Sequence, residues 1–237
     1  MNKLAERNSK GQWNVRSAPP VLTRVKPATE RAVVDALGEY VETLPTQRRH
    51  MLRRYRVAAV GHRIGGVGSV GIRNYVVLLF GSGETDALIL QVKEALPPAA
   101  ADGAPPLPHE FAEHQGQRVV HFQHLLQASG DILLGWTSID GRSFYVRQLR
   151  NQKGSLALEK LGISGWQRYA YTCGALLARA HARGGDIRTI AGYCGSSNVL
   201  DKAQGHFAEA YGDQTVTDHA ELVKAIRAKR IKAIEGV

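Results

Sequence analysis

Between Arg63 and Phe80 the chain places Gly66, Gly68 and Gly71 in the order G-x-G-x-x-G, and the residues after these glycines decide what can be built on them. A dinucleotide fingerprint opens a helix. Here the next residues include Ile72, Tyr75, Val76 and Val77, which favour a pleated strand. The glycines therefore join strand to strand. A turn cluster, Gly81-Ser82-Gly83-Glu84-Thr85-Asp86, then leads into a third apolar strand that ends in Lys93.

A glycine loop between two strands is the geometry of a flap that covers phosphates with backbone N–H groups, as in protein kinases. Glycine suits it because a side chain would hold the backbone away from the phosphate oxygens, and because such a loop visits positive φ. Ser69 at the tip adds a hydroxyl donor. A lysine in an apolar strand is costly unless its ammonium meets an anion, and a phosphate or a carboxylate would supply one. The glycine motif alone also fits a plain hairpin. Three strands in this order, with the lysine closing the third, are more specific.

The length of 237 residues suits one sizeable domain or two small lobes, and a hydrophobic content of 43% is that of an ordinary core. No apolar run approaches a membrane span, and the first residues have no apolar signal core. Cys173 and Cys194 have no metal-type spacing and read as buried small apolar residues of a cytoplasmic, reduced chain. A net charge of +10 permits an anionic partner such as a nucleotide, RNA or an acidic lipid surface. Much of it is local, in Arg48, Arg49, Arg53, Arg54 and Arg56, and again in Lys224, Arg227, Lys229, Arg230 and Lys232. The second group ends an expected helix, where cations complement the macrodipole. The first reads as a solvated or partner-facing helix, with nucleic-acid contact as the alternative.

In chain order, residues 1–28 are polar and proline-bearing and read as a loosely ordered arm. From Thr29, Val33, Val34, Leu37, Tyr40, Val41 and Leu44 recur at helical spacing up to Pro45, and a short helix runs from Thr46 to about Arg54. The first strand begins at Tyr55. After Lys93 the segment from Pro97 to Pro108 is a proline-rich linker. His109 to Gln127 then reads as one helix. A kinase-like lobe needs a helix there bearing an acid to pair with the strand lysine, and Glu110 and Glu113 are the two candidates. His114, His121 and His124 on the same helix lack a metal-site spacing and read as solvated or hydrogen-bonded.

Ile132 to Ser138 and Ser143 to Leu149, joined through Asp140-Gly141, form a β-hairpin. The fold class is thus α+β. Residues 29–150 hold the N-terminal helices and a kinase-like small lobe, a five-stranded antiparallel sheet with one inserted helix. Its fifth strand would lead into a hinge for adenine at Gln148 to Arg150, with Gln148 and Leu149 bordering the base. Residues 151–237 form a helical portion: one helix from Ser164 that ends at Gly184-Gly185, then Asp201 to Tyr211 and Asp218 to about Ile234. His181, beside the apolar face of the first, reads as a satisfied core histidine.

With these residues in place, the chain resembles a bacterial family of unknown function, the domain-of-unknown-function family 2252. The resemblance lies in Val67-Gly68-Ser69-Val70-Gly71, Leu90-Gln91-Val92-Lys93-Glu94-Ala95, Gly116-Gln117-Arg118-Val119-Val120, Phe144 to Arg150, Ala178-Arg179-Ala180-His181-Ala182-Arg183 and Ile190-Ala191-Gly192-Tyr193. It implies a circularly permuted relative of kinase-type phosphotransferases, of which this chain resembles the C-terminal part. Family members carry, upstream of the region seen here, a Gly-Asp-x-His-x-x-Asn-like stretch and an Asp-Phe-Asp-like stretch that would supply the base and the metal-binding acids. Neither occurs in this chain.

The expectation is therefore a nucleotide-binding lobe, inactive by itself, with no catalytic or metal-binding residues of its own. Gly66, Gly68, Ser69 and Gly71 would cover the phosphates of ATP, Lys93 would contact them, and Gln148 and Leu149 would border the adenine. Mg²⁺ would enter only if a catalytic half, encoded upstream, were supplied. The alternative is a basic module that binds RNA or an acidic protein through Arg48 to Arg56.

Overall fold

The computed structural model describes residues 4–9, 11, 13–66, 71–99, 108–149 and 156–233. The side chains of Glu110 and Ala112 fall outside that description. The chain divides into two units, one ending at Ala180 and one beginning at His181.

The first unit is built on a six-stranded antiparallel sheet. Its strands are β3 (Leu22–Arg24), β4 (Arg56–Arg63), β5 (Asn74–Phe80), β6 (Ala87–Glu94), β7 (Gly135–Ile139) and β8 (Arg142–Gln148), in the spatial order β3-β4-β5-β6-β8-β7. The glycine segment connects β4 to β5, two adjacent antiparallel strands. In the β7–β8 turn Asp140 and Gly141 both take positive φ, 50° and 71°. That is the pairing a two-residue hairpin with right-handed strand twist requires.

The strand count corrects the expectation of five. The sixth strand, β3, comes from the segment read as a loose arm, which also holds β1 (Ala5–Arg7) and β2 (Trp13–Val15) as a separate antiparallel pair. Each of these strands is only three residues long. They are held because Ala5, Val15 and Leu22 are buried against Ala59, Val76 and Leu78 of the sheet.

Side chains alternate across a strand, so the sheet has two distinct faces. On the first, Tyr75, Val77, Leu79, Leu90, Val92, Phe144 and Val146 pack against Val33, Leu37 and Tyr40 of α1 (Pro27–Glu42). The Tyr40 hydroxyl donates to the Leu133 carbonyl at 2.6 Å, and Thr137 Oγ1 donates to the Ala36 carbonyl at 2.7 Å. Burial, with Asp131 adding to it, pushes the Tyr40 phenol far above its ordinary pKa. A short helix, α2 (Thr46–Leu52), comes directly after α1.

The second face is covered at one side by the β1–β2 pair and over β7 and β8 by the inserted helix. That helix is two, not one: α3 (His109–Ala112) and α4 (Gln115–Leu126). His114 breaks the run. Its backbone is extended and its Nδ1 accepts the Gln117 N–H at 3.0 Å, so it caps α4 where a continuous helix was expected.

Helical structure resumes with α5 (Ile163–Gly184), which crosses the division between the units. The second unit continues with α6 (Ile187–Cys194), absent from the sequence reading, and α7 (Val199–Arg227). The two helices expected from Asp201 onward are one. No proline interrupts the run, and a single interior glycine costs a helix only about 1 kcal/mol, so Gly212 is carried through. Cys173 and Cys194, expected to be buried, are half-exposed and unbridged. Among the described residues no helix is long and apolar enough to cross a membrane.

Candidate phosphate site on the second face of the sheet

Lys93 lies on the second face, one residue before the end of β6. Its cross-strand neighbours are Asn74, the first residue of β5, and Tyr145 on β8. Directly opposed residues in an antiparallel pair have Cβ atoms about 4.5–5.5 Å apart, so Asn74 and Lys93 share one patch of surface. Two residues back on the same face is Gln91, opposite Arg147.

These side chains form a chain of hydrogen bonds. Arg147 Nε donates to Gln91 Oε1 at 2.9 Å, and Gln91 Nε2 donates to Asn74 Oδ1 at 2.9 Å. Asn74 is wholly buried, and its Nδ2 has no partner among the described residues. Lys93 makes no ion pair with any carboxylate among the described residues. Burial, and after it the nearby Arg147 charge, holds its ammonium below the ordinary lysine pKa. The patch is cationic and rich in donors, and neither Lys93 nor Arg147 forms an ion pair with an acid among the described residues.

The neighbouring residue, Glu94, is the reverse case. It is buried on the opposite side of β6 from Lys93 and accepts from the Arg73 N–H at 2.9 Å and from Arg142 Nη1 at 3.1 Å. Burial alone would raise its pKa, but the Arg73 N–H and the Arg142 and Arg73 guanidinium groups outweigh it, and the carboxyl sits below the ordinary glutamate value. Glu94 fixes the point where the glycine segment re-enters the sheet. The sequence reading missed it because its partners come from two distant loops.

Of the other expected site residues, Gly66 and Gly71 take positive φ, 127° and 85°, while Gly68 and Ser69 lie outside the described residues. Glu113 is exposed and pairs with His109 at 3.6 Å, with no ion pair to Lys93 among the described residues. The Glu110 side chain is among those not described. The Gln148 N–H donates to the Asp131 carboxylate and the Leu149 N–H to the Ile89 carbonyl at 2.8 Å, so these two hinge donors are engaged inside the fold, while Arg150 lies outside the described residues. Beside them a polar cavity of about 310 Å³ is lined by Gln123, Gln127, Ser129, Asp131, Arg147 and Gln148.

Of the arginine cluster, Arg49 and Arg53 both bond to Glu42, at 2.8 Å each. Arg54 and Arg56 are exposed without a carboxylate partner among the described residues. His114 faces Ser138 Oγ at 3.2 Å and His121 stacks on Phe111 with centroids 4.2 Å apart. These are packing and capping contacts. No group of three His, Cys, Asp or Glu side chains suited to a metal occurs among the described residues.

A family model matches residues 1–225, which is nearly the whole chain. The chain belongs to the DUF2252 family. Its description is "uncharacterized protein conserved in bacteria". No curated protein and no solved structure matches this DUF2252 member. Its chemistry has therefore to be argued from the Lys93 patch itself.

Proposed function

We propose that the sheet from β4 to β8, with α4, is a kinase-like nucleotide-binding lobe. In this reading Gly66, Gly68, Ser69 and Gly71 lie over the phosphates of ATP, Lys93 contacts them, and the strand end at Gln148 and Leu149 borders the adenine. The observation that carries it is the partly buried Lys93 ammonium, set at the foot of the glycine segment with no carboxylate to balance it among the described residues. A helix inserted after the third of these strands and a lysine near that strand's end also support it.

The phosphate end is better supported than the adenine end, because the Gln148 and Leu149 N–H groups are already used. The base-bearing and metal-binding stretches of the resembled family do not occur in these 237 residues, so the chain by itself would bind nucleotide without transferring phosphate. A catalytic half supplied in trans, in the bacterial cytoplasm, would have a surface to meet. Trp166, Leu176 and Leu177 of α5 are 46%, 59% and 59% exposed along one helical face.

Calorimetric titration of ATP into the wild type and Lys93→Ala tests the reading. Binding by the first and none by the second is expected. Equal affinity in both, or no binding by either at millimolar ATP, rejects it.

A second reading rests on Arg54 and Arg56, exposed and free of carboxylates among the described residues: a basic surface for RNA or an acidic protein. RNA binding there would weaken steeply with added salt and survive Lys93→Ala.

A further inference from the structure

The orientation of the Asn74 side chain is dictated by chemistry. An arginine can only donate, so the Gln91 atom facing Arg147 Nε must be its carbonyl oxygen. The Gln91 amide nitrogen is then the atom that faces Asn74, and Asn74 must present Oδ1 to it. The remaining Asn74 atom, Nδ2, is therefore a donor. It is buried and has no partner among the described residues, in a residue whose cross-strand neighbour is Lys93. A buried donor without an acceptor costs about 1–3 kcal/mol. The groups gathered here, the Asn74 amide, the Lys93 ammonium and the outer nitrogens of Arg147, include no acceptor for it.

From this arrangement we infer that Asn74 Nδ2 and Lys93 Nζ together hold one phosphate group of a polyphosphate ligand, with Arg147 both fixing the direction of the relay and adding charge beside it. An acceptor-only oxyanion is the group that completes such a set, because every one of its lone pairs can take a donor and it carries no proton to clash with the ammonium. The inference rests on the nucleotide reading for its location, and it assigns recognition to the phosphates ahead of the base. Gln91 is a positioning residue: it touches no ligand and acts by turning Asn74.

The test is nuclear magnetic resonance on the full chain, following the Asn74 side-chain amide signals, assigned by their absence in Asn74→Leu, during titration with inorganic triphosphate, ATP and adenosine in turn. Triphosphate and ATP should shift those signals, and adenosine should not. Asn74→Leu, which keeps Lys93 and Arg147, should bind triphosphate roughly 10- to 100-fold more weakly. Gln91→Glu offers Asn74 an acceptor, turns its amide inward and should weaken triphosphate while its amide signals no longer respond.

If Lys93→Ala abolishes ATP binding but the Asn74 signals stand still in the wild type, the inference fails and the nucleotide reading survives. If triphosphate shifts Asn74 while ATP binds no better than adenosine, the phosphate site holds and the nucleotide reading falls. No binding of any of the three overturns both.

Discussion

The backbone N–H of Arg73 donates to Glu94 Oε2 at 2.9 Å, and the Glu94 N–H donates to the Arg73 carbonyl at 2.8 Å. This reciprocal pair clamps the return leg of the glycine segment to β6, one residue from Lys93. Arg142 Nη1, from the β7–β8 hairpin, reaches the same carboxylate at 3.1 Å. One buried acid on the first face thus fixes the ends of two loops, and leaves the lysine beside it, on the second, without an ion pair among the described residues.

Glu94→Gln should destabilise the fold by about 1–3 kcal/mol, a value below that of a fully buried pair because both arginines are half-exposed. Urea unfolding measures it. The sign of its pH dependence is set by a native carboxyl held below the ordinary 4.5. Its contribution is complete above the unfolded value and is lost as the pH falls through the native one. The gap between wild type and variant should therefore close as the solution is acidified from pH 4.5 downward. A gap that stayed constant through acid would show that the carboxylate charge contributes nothing.

Lys93 presents the opposite balance between function and stability. Burial holds its ammonium below the ordinary 10.5, so at neutral pH the charged form is tolerated at some cost. Lys93→Met should raise stability by about 1 kcal/mol, which is roughly 2–4 °C in Tm, while removing anion binding. Because the native pKa is the lower one, that gain is full at neutral pH and shrinks as the pH rises through it toward 10.5. A variant less stable than the wild type at neutral pH would mean that Lys93 has an internal partner.

Asp131 closes the far end of the site. Its Oδ1 accepts the Leu133 N–H at 2.9 Å and its Oδ2 the Gln148 N–H. Asp131→Ala strands two donors and should cost about 2–4 kcal/mol. Amide hydrogen exchange at Gln148 should quicken ahead of exchange in β5, which lies at the centre of the sheet. Unchanged protection at Gln148 would show that the sheet ladder alone holds the strand end.

The central strands could be read from sequence because their signals are local. Val76 to Leu79 is apolar throughout, as a strand buried on both faces must be, and Asp140-Gly141 sits between two alternating runs. The three-residue strands β1 to β3 could not, since three residues show no period. Their burial depends on a sheet formed fifty residues later. The break at His114 turned on one side-chain cap, which a run of helix-forming residues hides. Lys93 stood out as a cation in an apolar strand. Asn74, Gln91 and Arg147 did not, because only the strand register brings them together. A one-residue slip in either pairing would have dispersed them.

Gly116, in the first turn of α4, shows how closely that helix lies on the sheet. A Cβ there would run into the backbone of Phe144, 2.6 Å from its carbonyl carbon, and a strand backbone in mid-sheet cannot give way as a flexible side chain can. Helix propensity alone favours alanine over glycine by about 1 kcal/mol. The collision should outweigh it, since overpacking costs typically about 1–3 kcal/mol and sometimes more. Gly116→Ala is thus expected to destabilise the fold by about 1–2 kcal/mol net, and to lift the start of α4 off β8. The Gln115 N–H, which donates to Ser143 Oγ at 3.2 Å, should then exchange faster with solvent. An alanine variant with a raised urea midpoint would show that propensity governs this position, and that α4 does not rest on Phe144.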